Sequence, residues 1–186
     1  MLAAIRGWYT ATPENLLKSY VKTSNPKHLD AIVRQFNSDV YHYLCSLSDA
    51  ELAKDCLQKT WLKVMNLTDK HELPKNVKGW LFVVARNVLI DEFRHNSKYQ
   101  SEPFNDVYSS DGTLEERICE LDKLSRFNLL IETMPFVQRE AFILQREEFS
   151  VEQIADITGV NYETVRSRLR YARKFLKVHL EASNER

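Results

Sequence analysis

Six Arg and Lys side chains lie between Thr164 and Val178, at Arg166, Arg168, Arg170, Arg173, Lys174 and Lys177, with no acidic residue among them. Guanidinium and ammonium groups at this density can neutralise a row of phosphates, and an Arg at the right height can also hold a guanine edge through two hydrogen bonds. Wound at about 100° per residue from Val165, the segment puts Leu169, Ala172 and Leu176 within about 40° of it. Arg166, Arg170, Arg173, Lys174 and Lys177 fall between about 80° and 180° on the same wheel. The winding separates an apolar stripe that must be buried from one basic face. Arg168 lies on the other flank, where it can reach a phosphate or pair locally.

A basic run on a helix is as readily a solvated face, so what precedes it matters. Ser150 stands where an N-cap belongs, Val151, Ile154, Ala155 and Thr158 share one face, Gly159 can supply a turn, and Asn161 can cap the next helix. Ala155, Gly159 four residues later and Val165 ten residues later have the spacing of a helix-turn-helix. Small Ala lets the helices approach, Gly adopts the turn, and the apolar residue locks the second helix onto the first. A helix presented in this way fits the major groove. Its N-terminal residues Tyr162, Glu163, Arg166 and Ser167 are placed for base edges, and Arg170, Arg173, Lys174 and Lys177 for phosphates.

Two earlier segments also carry candidate chemistry. In DCLQKTWLKVMN, Asp55 to Asn66, residues Cys56, Leu57, Thr60 and Val64, with Leu67 beyond, can face a core. Asp55, Gln58, Lys59, Leu62 and Lys63 then face outward, as a contact surface or simply as a solvated face. In KGWLFVVARNVLIDEFRHNSK, Lys78 to Lys98, an apolar face of Leu81, Val84, Ala85 and Val88 continues back to Val77. Arg86, Asn87, Asp91, Arg94 and His95 gather toward the other end. Amide and guanidinium groups there can hydrogen-bond an unstacked base or hold its phosphates. Trp80 and Phe82, among apolar neighbours, read as core.

The elements that must position these residues are helical. Long stretches repeat apolar residues at helical spacing, only 4 Gly and 5 Pro interrupt 186 residues, and no strand alternation is evident. Helices are predicted at about Pro13 to Thr23, Pro26 to Leu47, Asp49 to Leu67, Lys75 to Asn96, Leu114 to Thr133, Pro135 to Glu147, Val151 to Thr158 and Tyr162 to Leu180. SKYQSEPFNDVYSSDGT, Ser97 to Thr113, breaks the pattern and reads as a linker. The expected fold is therefore all-α, with two small helical domains joined by a flexible linker, the C-terminal one containing the helix-turn-helix. The charge divides with it. Residues 1–98 hold 14 basic and 10 acidic side chains, residues 99–132 hold 3 and 8, and residues 149–186 hold 7 and 5. Two positive ends around an acidic middle suit two contacts with a polyanion.

Other classes find less support. No apolar run approaches the roughly 20 residues that cross a bilayer, and the N-terminus lacks the layout of a secretory signal, so a cytoplasmic location without membrane insertion is expected. Cys45, Cys56 and Cys119 have no paired spacing, which favours buried, reduced thiols over a disulfide framework or a metal site. His42 and Cys45 stand near each other but have no evident third partner for nucleophilic catalysis. No catalytic residue, metal site or cofactor is expected.

The motifs together resemble the extracytoplasmic-function (ECF) group of bacterial sigma factors. The resemblance rests on Asp55-x-x-Gln58-x-Thr60-Trp61-Leu62, on Gly79-Trp80-Leu81-Phe82-x-x-Ala85-Arg86-Asn87-x-x-x-Asp91-x-x-Arg94, on Met134-Pro135-x-x-x-Arg139-x-x-Phe142, and on Thr164-Val165-Arg166-Ser167-Arg168-Leu169-x-x-Ala172-Arg173. It implies a polymerase subunit that selects promoters, with the clamp helices and flap of core RNA polymerase, promoter DNA and a probable anti-sigma factor as partners. By position, Asp55, Gln58, Trp61 and Leu62 would dock on polymerase. Asn87, with Arg86, Asp91 and Arg94, would capture a flipped base of the −10 element. The helix-turn-helix would read the −35 element. Lys59 stands where the family usually has Glu, and Met134-Pro135 replaces Leu-Pro. The implied division is an N-terminal extension at 1–25, a region 2 domain at 26–97, a linker at 98–113 and a region 4 domain at 114–186. The extension can be a disordered arm, a packing helix or a regulator site. The rival reading is a one-component helix-turn-helix regulator whose N-terminal domain senses a ligand.

Overall fold

In the computed structural model, which describes residues 12–68, 72–99 and 123–182, every regular element is an α-helix. In chain order these are α1 Pro13–Thr23, α2 Pro26–Cys45, α3 Ala50–Met65, α4 Val77–Tyr99, α5 Lys123–Thr133, α6 Phe136–Arg146, α7 Val151–Thr158 and α8 Tyr162–Ala182. They form two compact units: residues up to Cys45 and from Ala50 to Glu92, and Ser46–Asp49 together with Phe93 onward.

Local chemistry sets the helix ends. Thr12 caps α1 by accepting the Asn15 N–H, Pro13 occupies the first turn, and Ser24 ends the helix at φ 50°. Asn76 accepts the Gly79 N–H at 3.0 Å, so α4 starts at Val77 rather than at Lys75. At its other end α4 continues to Tyr99, two residues past the expected domain edge, and residues 100–113 of the expected linker lie outside the described residues. So do residues 114–122 of the helix expected from Leu114, and Cys119. Of the readings open for residues 1–25, Pro13–Thr23 takes that of a packing helix.

In the first unit α2 packs between α1 and α3. Its core joins Leu17 of α1, Ile32, Phe36, Val40 and Leu44 of α2, Ala53, Cys56 and Val64 of α3, and Leu81, Ala85 and Leu89 of α4. Tyr43 and Phe82, both fully buried, meet with ring centroids 5.1 Å apart. The buried face of α4 includes Phe82, as expected, and differs from expectation at Leu89 and Val84. Leu89 belongs to it, while Val84 is only half-buried, because the stripe centres on Ala85 and Val84 sits about 100° away. Trp80 is likewise half-buried rather than core. Of the thiols, Cys56 is buried and Cys45 half-buried.

In the second unit α8 packs on α5, α6 and α7. Ser150 and Gln153 form a reciprocal capping box on α7: Ser150 Oγ accepts the Gln153 N–H at 3.2 Å, and the Ser150 N–H donates to Gln153 Oε1 at 2.8 Å. The helix ends in Gly159 at φ 68°, whose N–H reaches the Ala155 carbonyl. Asn161 Oδ1 then accepts the Thr164 N–H at 2.7 Å and starts α8. Each cap foreseen at the turn is formed.

Gly159 has open space where a Cβ would stand, so only its left-handed backbone resists substitution. Gly159→Ala is expected to cost about 1 kcal/mol in urea unfolding, and Gly159→Asn less, because Asn tolerates that conformation.

Candidate nucleic-acid interface

The four apolar residues of the α8 stripe, Val165, Leu169, Ala172 and Leu176, are all buried. That burial turns Arg166, Arg170, Arg173, Lys174 and Lys177 to solvent as one face. Their charges are held by weak partners. Arg166 lies 3.3 Å from Glu163 and covers the half-exposed Tyr162 ring at 5.8 Å, grouping three of the four residues expected at base edges. Arg170 lies over Tyr171 at 5.3 Å, and Lys177 stands 3.8 Å from Glu181. Exposed pairs of this kind contribute about 0–1 kcal/mol, so phosphates can displace them.

Arg173 is held differently, by a 2.7 Å hydrogen bond to Gln145 of α6. It lies nearest the buried stripe of the five, and so reaches across the helix seam. Gln145, 28 residues away, has no local signal that would reveal the pairing. On the opposite flank Ser167 and Arg168 are half-buried. Both line a shallow concavity with Val137, Gln138, Thr164 and Tyr171, between the starts of α6 and α8. Arg168 is not without a partner.

In the first unit α3 buries Ala53, Cys56, Thr60 and Val64 and exposes Asp55, Gln58, Lys59, Leu62 and Lys63. Leu62 and Met65 are each about half exposed, which makes the outward stripe partly apolar. Trp61 differs from its expected docking companions: it is half-buried, and its indole N–H donates to Asn37 Oδ1 of α2 at 2.9 Å. Lys59 extends to Glu92 of α4, with Nζ 2.6 Å from the carboxylate. That hydrogen bond raises the Lys59 pKa above its ordinary value against a smaller desolvation effect, so the ammonium stays charged. The Lys at this position is thus tied toward α4.

On α4 Asn87, Asp91 and Arg94 are exposed, and Arg86 is half-buried on their flank. Wound from Ala85, the three exposed residues lie within about 60° of one another and face away from the core. They form a polar patch on a helix whose opposite side buries Leu81, Phe82, Ala85 and Leu89. Among the described residues no three His, Cys, Asp or Glu side chains gather as a metal site would require, and no helix is long and apolar enough to cross a membrane.

The two units match two known sequence families: residues 32–99 match Sigma-70 region 2, and residues 124–176 match Sigma-70, region 4. The ECF RNA polymerase sigma factor EcfG of Rhodopseudomonas palustris is 30% identical over 146 residues, 74% of this chain and 77% of that protein. The RNA polymerase sigma factor YlaC of Bacillus subtilis is 27% identical over 171 residues, 86% of this chain and 97% of that protein. Among solved structures, the sigma factor RpoE from Bartonella quintana, in complex with the anti-sigma factor NepR, superposes with a TM-score of 0.66 at 26% identity, covering 83% of this chain and 98% of that one. CnrH in complex with the cytosolic domain of CnrY also reaches 0.66, covering 92% and 99%, and at 18% identity shows the shared fold. The chain belongs to the ECF group of RNA polymerase sigma factors. Such a protein is a transcription initiation factor that directs core polymerase to promoters.

The two kinds of contact expected of α8 can be separated by mutation. Arg166→Ala is expected to weaken binding at one or two −35 positions by about 1–3 kcal/mol, while Lys174→Ala weakens all sequences alike and lowers the salt slope by about 0.9. Titrations of matched and mismatched duplexes at several salt concentrations measure both; an equal loss on all sequences for Arg166→Ala counts against base readout.

Proposed function

We propose that this sigma factor uses three surfaces in turn. The outward stripe of α3, with Asp55, Gln58 and Leu62, docks on the polymerase clamp helices, and Trp61 supports it from the seam with α2. The α4 patch of Asn87, Asp91 and Arg94, flanked by Arg86, captures a flipped base of the −10 element. On α8, Tyr162, Glu163, Arg166 and Ser167 read −35 base edges, and Arg170, Arg173, Lys174 and Lys177 hold the phosphates. Arg168, on the flank facing α6, reaches a further phosphate of the −35 element, and the second unit also meets the flap. Residues 26–97 form the promoter-opening domain and residues 114–186 the −35 domain, with residues 98–113 as the linker.

The observation that carries this reading is that α4 and α8 each bury an apolar stripe and leave a polar or basic face uncovered. A flipped base can be read on all its edges for an unstacking cost of about a few kcal/mol. An uncovered amide with charged neighbours, as at Asn87, suits that task. The chain itself performs no catalysis and works in the cytoplasm, where its polymerase and promoters are. An anti-sigma factor is its expected regulator, because RpoE, at 26% identity, was solved with one.

Run-off transcription with core polymerase over a genomic promoter library tests the whole reading, and start sites that fire equally without this chain would overturn it. Within that assay Asn87→Ala is expected to keep −35 duplex binding and lose strand opening. Normal permanganate reactivity at the start site in that variant would sink the role given to Asn87.

A further inference from the structure

Helix α1 ends at Thr23, before the first residue of either matched family region, and no function described so far uses it. Leu16 and Leu17 account for its apolar packing. Two of its polar side chains reach elsewhere. Tyr20 Oη donates to the carbonyl of Met65, the last residue of α3, at 3.1 Å across 45 positions of sequence. Glu14 Oε1 accepts the N–H of Val77, the first residue of α4, at 3.1 Å across 63 positions. Asn76 satisfies the Gly79 N–H of the same turn, so the opening of α4 is capped jointly by its own Asn and by a carboxylate from α1 at the positive end of the helix. One short helix therefore holds both ends of the connection, residues 66–76, that runs from α3 to α4.

Opening a promoter requires that a contact made on α3 fix where α4 meets the strand. A connection held only at its ends by the chain would let that distance vary, and constellations that act on a substrate must be held to about half an ångström. We propose that Glu14 and Tyr20 are positioning residues for promoter opening, fixing the exit of α3 against the entry of α4 so that docking sets the placement of Asn87. The proposal rests on the roles given above to α3 and α4.

Single atoms can test it in the full chain with core polymerase. Tyr20→Phe removes one oxygen and keeps the ring, Glu14→Ala removes the carboxylate, and Glu14→Gln keeps an acceptor oxygen for Val77. The Tyr20→Phe/Glu14→Ala variant is expected to bind core polymerase within about twofold of wild type, while permanganate-detected opening falls about tenfold, the weight of roughly one to two ordinary hydrogen bonds. Glu14→Gln in place of Glu14→Ala should recover most of that loss. Opening at the wild-type rate overturns the proposal; so does a fall matched by equal loss of polymerase binding, or a Gln variant as poor as the Ala one. If the double variant melts below the assay temperature, Tyr20→Phe alone decides, with about a threefold fall in opening at unchanged polymerase binding supporting the role and no fall refuting it. A wild-type chain that starts no transcription with core polymerase fails the sigma reading itself, a result distinct from all of these.

Discussion

The second unit depends on one seam, the stripe of Val165, Leu169, Ala172 and Leu176 that seats α8. Four modest apolar side chains are enough because they repeat at the helical period and fall on one line. A wider apolar face would draw the flanking arginines toward the core, where an unpaired charge is not tolerated. A narrower one would leave the helix free to roll. The width of the stripe thus decides both that α8 is held and that five cationic side chains remain in water. The turn before it serves the same end, since Gly159 and the caps at Ser150 and Asn161 determine the angle at which that face is offered.

The first unit solves a related problem with less help from periodicity. Its α4 is apolar around much of its circumference, and the polar residues Asn87 and Asp91 occupy part of what remains. Its neighbours are joined by side chains reaching between helices: Trp61 to Asn37, Lys59 to Glu92, and the two bonds from α1. Each of these partially wet bonds is modest. Together they specify how helices sit where apolar contact alone would allow sliding.

What could be read from the sequence follows the range of the interactions. The helix-turn-helix was legible in its caps, turn and α8 stripe because these act within about four residues, the reach of helical geometry. On α7, by contrast, the unforeseen Ile157 joins Ile154 and Thr158 in the buried face, while Val151 and Ala155 stay half-buried. The outward stripe of α3 and the apolar side of α4 were legible for the same reason, apart from Val84, Trp80 and Leu89, where the choice of centre for the stripe shifts the edges. The contacts Arg173 to Gln145 and Lys59 to Glu92 were not legible. Nothing near Gln145 or Glu92 distinguishes it from any other solvated polar residue until the fold brings its partner within reach. Helix α1 was legible as a helix from its spacing, while its cap at Thr12 and its bonds to Met65 and Val77 became visible only in three dimensions.

The pairing of Arg166 with Glu163 bears on how such a protein searches a chromosome. An arginine with no neighbour would hold any phosphate or guanine it met, and the protein would linger at countless wrong sites. Held by a carboxylate one turn away and by the face of Tyr162, the guanidinium leaves only for a partner that offers more than they do. Because an exposed pair contributes about 0–1 kcal/mol, that threshold is low, and a phosphate or a base edge can cross it. The acidic residue at the tip of a basic helix therefore lowers the pull of that face on polyanions in general.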